Sequence, residues 1–202
     1  MNVKIKKIED FEIGFKRLKN AQLELAESEI VYDYKKASIG LSNLDINEVA
    51  PTSFYALRNK LMFQDVLRNK LIVDYKIDLF NLPGILYLEI DNKIVGLAPP
   101  FVEVYKEENG EIVRALQDGV HRFLLARKFG LVQKCIVIDN SKTNCKYLPY
   151  AYPNSWEEVC LGDYVPTIKK RYRRQVPNSF MRPLCSIFDQ KLVLDWSDYG
   201  RR

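Results

Sequence analysis

One segment, residues 116–126, constrains the fold of this chain more than any other. A β-favouring run, Ile112 to Leu116, is followed by Gln-Asp-Gly and then directly by an amphipathic helical pattern. The chain's only histidine, His121, and Arg122 fall in the first turn of that helix. A helix N-terminus carries unpaired backbone N–H groups and the positive end of the helix dipole. The segment therefore predicts an anion site suited to phosphate.

Four consecutive residues form the predicted phosphate-binding turn: Gly119, Val120, His121 and Arg122. Glycine lets the backbone approach a ligand closely. The Arg122 guanidinium can bind two phosphate oxygens at once, and a histidine can hydrogen-bond a phosphate or transfer a proton near neutral pH. The alternative interpretations are a surface ion pair for Arg122 and a structural place for His121.

Three boxes, in order along the chain, resemble the ParB/sulfiredoxin superfamily. Residues 118–122 read Asp-Gly-Val-His-Arg, which is similar to the D-G-x-H-R box of that family. Residues 96–104 are similar to the strand that leads into the core, and residues 126–139 to the helix end, glycine and closing strand. The resemblance implies an α+β fold with a small mixed β-sheet. It also implies binding of a nucleoside triphosphate, ATP or CTP, with Mg²⁺ as a companion ion, and NTPase or phosphotransferase activity.

Position 120 separates branches of that superfamily. Sulfiredoxins carry their reactive cysteine at the equivalent position, and Val120 has no nucleophile, so sulfinic-acid reduction is excluded. The box is more similar to the D-G-H-H-R box of the free-serine kinases. This resemblance implies His121, Asp118 and Glu103 as catalytic candidates, with Glu103 as the counterpart of an upstream carboxylate. The other interpretations are that Asp118 caps the helix or holds Mg²⁺, and that Glu103 is solvated.

The charge of the chain is uneven. Its net charge is +5, and five cations fall within residues 169–174. Such a run contacts the phosphate backbone of nucleic acid, an acidic partner protein or only solvent. The candidate DNA-binding residues are Lys169, Lys170, Arg171, Arg173 and Arg174.

The cysteines and the termini indicate the compartment. The four cysteines show no C-x-x-C pair, so no metal site is predicted and the thiols are expected to be reduced and buried. The cysteines are Cys135, Cys145, Cys160 and Cys185. Because no signal peptide and no membrane-spanning run is visible, we expect a cytoplasmic protein with no membrane partner.

The patterns along the chain predict one compact α+β unit in three parts. Residues 1–75 form an N-terminal helical layer, residues 76–165 the nucleotide-binding core and residues 166–202 a basic and apolar C-terminal extension. One helix carries Phe11, Phe15, Leu18 and Leu25, a second begins at Pro51, and a third begins near Asn154. Strands are predicted at residues 71–77, 85–90, 101–105, 112–116 and 135–138. A turn at residues 107–110 pairs two of them as a hairpin.

Three functions are compatible with these patterns. The first is a nucleotide-binding protein, an NTPase or a small-molecule phosphotransferase. The second is a nucleotide-gated DNA-binding or partition-like regulator that uses the run at residues 169–174. The third is a non-catalytic subunit that binds a partner protein, or a second copy of this chain, through the apolar C-terminal tail.

Overall fold

A mixed β-sheet, flanked by a second sheet and by helices, forms the centre of the molecule and confirms the α+β class. The computed structural model describes residues 1–21, 23–24, 30–31, 34–107, 109–142, 151–171 and 184–189. The strands are β1 (Val3–Glu9), β2 (Leu23–Glu24), β3 (Ile30–Val31), β4 (Ser38–Leu44), β5 (Ala50–Pro51), β6 (Tyr55–Leu57), β7 (Ile85–Ile90), β8 (Lys93–Leu97), β9 (Phe101–Lys106), β10 (Ile112–Asp118), β11 (Gln133–Asp139) and β12 (Cys160–Gly162). The helices are α1 (Phe11–Asn20), α2 (Arg58–Tyr75) and α3 (Val120–Phe129), and 3₁₀ turns lie at Ile46–Glu48, Trp156–Glu158 and Leu184–Ile187.

The main sheet has the strand order β4-β11-β9-β10-β5. The predicted hairpin is confirmed, because the consecutive strands β9 and β10 pair antiparallel. Strand β11 runs parallel to β9 and antiparallel to β4. The short strand β5 lies parallel to the end of β10, next to the turn that carries residues 118–122.

A second sheet, β1-β7-β8, is antiparallel throughout. Helix α2 covers it, with Leu67 and Leu71 buried against Leu86 and Leu88 of β7. A third pairing joins β6 in parallel to β12. Because β6 runs directly into α2, this small sheet fixes the point at which α2 begins.

Helix α3 follows β10 as predicted, over residues 120–129. Phe123 is buried among residues of the main sheet, and its ring packs 6.0 Å from the ring of Trp156. The helix ends at Gly130, whose φ of 65° is the left-handed conformation common at helix C-termini. The packing on both sides of α3 therefore holds its N-terminus in one place.

The prediction that residues 1–75 are mostly helical is wrong. Strands β1, β4, β5 and β6 lie in this part, and three of them complete the two larger sheets. Strand β1 is not predicted because its apolar alternation, Val3 and Ile5, is broken at Lys6-Lys7, where the register with β7 shifts. The boundaries at residues 75 and 165 stay predictions.

Two helices differ from their predicted bounds. Helix α2 begins at Arg58 rather than after Pro51, and it includes residues 71–75 of the strand predicted at 71–77. The helix expected near Asn154 is only a 3₁₀ turn, closed by a capping box between Ser155 and Glu158. Leu25, which was placed on the first helix, lies outside the described residues.

Candidate functional site

A cleft of about 540 Å³ lies at the N-terminus of α3. One wall is the face of α2 that carries Lys60 and Gln64, and another is the turn at residues 118–122. Residues of β8 and of the C-terminal 3₁₀ turn complete it. The cleft has the volume of a typical small-molecule site. The structure thus places all four predicted phosphate-binding residues on one cavity.

Position 119 requires glycine for two reasons, its backbone conformation and the closeness of Pro100. Its φ is 107°, and a Cβ atom at this position would lie 2.5 Å from Cβ of Pro100. The glycine therefore allows residues 96–104 to pack against residues 118–122, so the first two sequence boxes meet in space. The predicted reason for the glycine, close approach of a ligand, differs from the contact that the structure shows.

The first turn of α3 has unused N–H groups. The N-cap position, Gly119, offers no side chain, and regular bonding begins with the N–H of Phe123, which donates to the Gly119 carbonyl at 3.1 Å. Among the described residues, no hydrogen bond engages the N–H groups of Val120, His121 or Arg122. The alternative that Asp118 caps the helix is wrong, because its carboxylate makes no such bond.

Arg122 is buried beside the cleft and holds two elements together. Its guanidinium donates to the carbonyl of Ala98 and, at 3.4 Å, to the carboxylate of Asp118. The side chain of Asp118 is 61% exposed, so this ion pair faces solvent on one side. Burial lowers the pKa of Arg122, while Asp118 acts in the opposite direction. The guanidinium uses two of its five N–H groups within the described structure.

His121 is engaged by the start of α2. Its Nε2 atom accepts a hydrogen bond of 2.9 Å from the N–H of Leu57. Burial, together with the charge of Lys60, lowers the pKa of His121 to about 4. The imidazole is therefore neutral at neutral pH, with its proton on Nδ1. This bond agrees with the structural interpretation of His121 and leaves only Nδ1 for a ligand.

Glu103 is buried, not solvated as one interpretation had it. Only 2% of the residue is exposed. Its carboxylate accepts hydrogen bonds from the Tyr34 hydroxyl at 2.6 Å and from the Gln117 side chain at 2.9 Å. Gln117 lines the cleft, whereas Glu103 does not. Glu103 therefore lies behind the amide of Gln117, one hydrogen bond away from the cleft.

Lys60 is a residue of the cleft that the sequence analysis missed. It lies in the first turn of α2, and the charge of its ammonium group contributes to the lowered pKa of His121 across the cleft. Nothing in its neighbourhood in the sequence marks it, because the contact depends on how α2 packs beside α3. The cleft thus combines the positive end of one helix with a lysine from a second.

The described part of the basic run lies against the domain. The carbonyls of Lys169 and Arg171 accept bonds from Phe54 and Tyr152, at 3.1 and 2.8 Å. Arg171 pairs with Glu158 at 3.0 Å, and its guanidinium lies 4.7 Å from the ring centre of Phe54. Lys169 is exposed and Lys170 lines the cleft. The candidates Arg173 and Arg174 lie outside the described residues.

The cysteines differ from the prediction that all are buried. Cys135 is buried, and burial raises its pKa to about 12, whereas Cys160 and Cys185 are exposed. Cys160 is on the short strand β12 and Cys185 lines the cleft, two positions that no local pattern marks. Cys145 lies outside the described residues. Within the described ranges, no three His, Cys, Asp or Glu side chains are grouped as metal ligands.

Within the described part of the chain, no helix combines the length and the apolar character needed to cross a membrane.

A protein-family model matches most of this chain. Neither the curated proteins nor the solved structures contain a match to this chain. The model of the ParB CE domain family matches residues 14–160, a range that contains the cleft turn and all three sequence boxes. This chain therefore belongs to the ParB CE domain family.

Proposed function

We propose that this ParB-like protein binds the phosphates of a nucleotide in the cleft at the N-terminus of α3. The observation that carries the proposal is the arrangement of three unused backbone N–H groups, Arg122 and Lys60 around one cavity. Backbone N–H groups at a helix start bind phosphate oxygens without a net charge of their own. Lys60 adds a positive charge, and a lysine binds phosphate as a point charge.

Arg122 would act on the same ligand through its charge, and not as a free guanidinium that binds two phosphate oxygens. Its bond to Ala98 fixes it in the wall of the cleft, where its charge is poorly screened because the group is buried. A phosphate close to the first turn of α3 would compete with Asp118 for that charge. We infer that Asp118, the one carboxylate among the described residues that line the cleft, turns toward a metal when nucleotide is bound.

Mg²⁺ fits this donor set as an ion carried by the nucleotide. Mg²⁺ is commonly held by one or two carboxylates together with phosphate oxygens and water. The exposed carboxylate of Asp118 meets that requirement, and no further protein ligand is needed. Bound Mg²⁺ would neutralise phosphate charge, while the residues of this chain position the phosphates.

The geometry favours binding over turnover. General base catalysis needs a group in reach of the nucleophile with a pKa near the working pH. His121 has its Nε2 occupied and a pKa of about 4, and Glu103 is separated from the cleft by Gln117. We therefore propose NTPase or phosphotransferase activity only as an additional property, to be assayed after binding is measured.

Calorimetric titration with ATP, CTP, GTP and ADP, each with and without Mg²⁺, tests the proposal. The variant Lys60→Gln removes the cleft charge, and Lys70→Gln is the matched control because Lys70 lies on the same helix and pairs with Asp74. We expect saturable binding of at least one triphosphate by wild type and Lys70→Gln, and binding weakened by roughly tenfold in Lys60→Gln. No binding of any nucleotide by wild type would contradict the proposal.

DNA binding is the second candidate, and the exposed Lys169 favours it. Because Lys170 lines the cleft, nucleotide and DNA contacts would lie side by side. The slope of DNA affinity against salt concentration measures the number of phosphate contacts. A slope that becomes shallower by about one in Lys169→Gln would support this role.

A further inference from the structure

A C-terminal segment outside the family match forms part of the cleft. Residues 184–189, here called the strap, lie beyond the ParB CE domain match, which ends at residue 160. Leu184, Cys185 and Phe188 of the strap nevertheless line the cleft. The strap therefore adds a wall to a cavity whose other walls come mainly from the family domain.

Two glycines make room for the strap. A Cβ atom on Gly14 of α1 would lie 2.8 Å from Cγ1 of Ile187, which is fully buried. A Cβ atom on Gly96 of β8 would lie 2.3 Å from the Phe188 ring. Contacts this short are not tolerated by ordinary side chains. The strap thus has a shaped seat on two separate elements of the domain.

A polar cluster holds the backbone of the strap. The Arg17 guanidinium donates to the Ile187 carbonyl through Nε at 2.9 Å and Nη2 at 2.6 Å. The Tyr87 hydroxyl accepts from the N–H of Asp189 at 2.8 Å. Glu9, in turn, accepts from Arg17, from Tyr87 at 3.0 Å and from Lys7 at 2.6 Å. We call Glu9, Arg17 and Tyr87 the latch.

Within the described structure the strap is attached by side chains and not by strand pairing. The latch holds its backbone, and Ile187 packs in the main hydrophobic core. Segments without strand pairing open at lower free energy than paired core strands. We propose that the strap is a gate on the cleft, held shut by the latch, whose release admits a ligand.

The gate can be tested without any nucleotide, so its failure is distinct from the failure of the proposed function. Leu67 is buried and lines the cleft, whereas Leu71, one turn further along α2, is buried and does not. A thiol is placed at either position by Leu67→Cys or Leu71→Cys, in a chain with Cys145, Cys160 and Cys185 replaced by serine. The alkylation rate of each thiol by a small maleimide is then measured.

Releasing the latch with Arg17→Met is expected to accelerate alkylation at position 67 roughly tenfold more than at position 71, because position 71 gains only from the lower global stability. If Arg17→Met does not fold, Gly96→Ala displaces Phe188 instead, and Gly40→Ala is its control because nothing lies within 4 Å of that added methyl group. Equal acceleration at positions 67 and 71 would show general loosening and overturn the gate. An unchanged rate at position 67 in a folded variant would overturn it as well.

Discussion

Arg122 in the cleft and Arg17 in the latch perform the same local task with different partners. Each guanidinium donates to a backbone carbonyl from a distant part of the chain and pairs with a carboxylate. The carboxylate at Arg122 is Asp118, with 61% of its side chain exposed, whereas the carboxylate at Arg17 is Glu9, with 3% exposed. The carboxylate of the latch is therefore shielded from solvent, whereas the carboxylate of the cleft pair is accessible to solvent.

The electrostatics agree with this difference. Burial alone would raise the pKa of Glu9, but hydrogen bonds from Arg17, Lys7 and Tyr87 outweigh it and lower the pKa to about 2. In the cleft, by contrast, burial lowers the pKa of His121, and no carboxylate hydrogen-bonds to its ring. Lowering the pH therefore protonates His121 in the cleft and Glu9 in the latch in different pH ranges.

The largest expected effect follows from breaking the latch. Arg17→Met leaves the buried carboxylate of Glu9 without its main partner, and we expect the free energy of unfolding to fall by about 3 kcal/mol. Urea unfolding measures it. The double variant Glu9→Gln/Arg17→Met should recover part of the loss, because the buried side chain at position 9 is then neutral. Equal losses in the single and double variants would contradict this account of the latch.

The next effect is a dependence of stability on pH that differs between the cleft and the latch. The pKa of His121 is about 4 in the folded chain and 6.5 when unperturbed, so the unfolded state binds the proton first as pH falls. Stability should therefore decrease from pH 6.5 to about pH 4, by as much as about 3 kcal/mol. Glu9 adds a loss only below its unperturbed value of 4.5. His121→Gln, which keeps an acceptor for Leu57, should lack the first slope; an unchanged slope would place the titration elsewhere.

A smaller loss is expected from the matching change in the cleft. Arg122→Met leaves the Ala98 carbonyl without its donor, but the exposed Asp118 can be hydrated. We expect the free energy of unfolding to fall by about 2 kcal/mol, less than for Arg17→Met. Unfolding both variants under the same conditions checks the order. A reversed order would remove the distinction drawn between the two arginines.

The smallest effect on stability is expected from Asp118→Asn. An ion pair at 3.4 Å with an exposed carboxylate contributes little, so stability should change by less than about 0.5 kcal/mol. The same variant should weaken the dependence of nucleotide binding on Mg²⁺. Calorimetric titrations at several Mg²⁺ concentrations test this, and an unchanged dependence would exclude Asp118 as a metal ligand.

The two regions also differ in what their sequence reveals. The turn at residues 118–122 was predicted from the sequence because a strand, a glycine and a helix start are local signals. The latch joins Glu9, Arg17 and Tyr87, whose side chains meet only when β1, α1 and β7 pack together. Lys60 was missed for the same reason. Short-range patterns thus located the cleft, while its second charge and its strap depend on tertiary packing.

The most direct test of phosphate binding observes the backbone N–H groups themselves. Amide resonances of Val120, His121 and Arg122 are followed by two-dimensional NMR while ATP·Mg²⁺ and CTP·Mg²⁺ are added, with the amides of β7 as an internal control. We expect these three resonances to shift together and saturate with one of the nucleotides, while those of β7 stay in place. Saturable nucleotide binding that leaves the three resonances unmoved would contradict it.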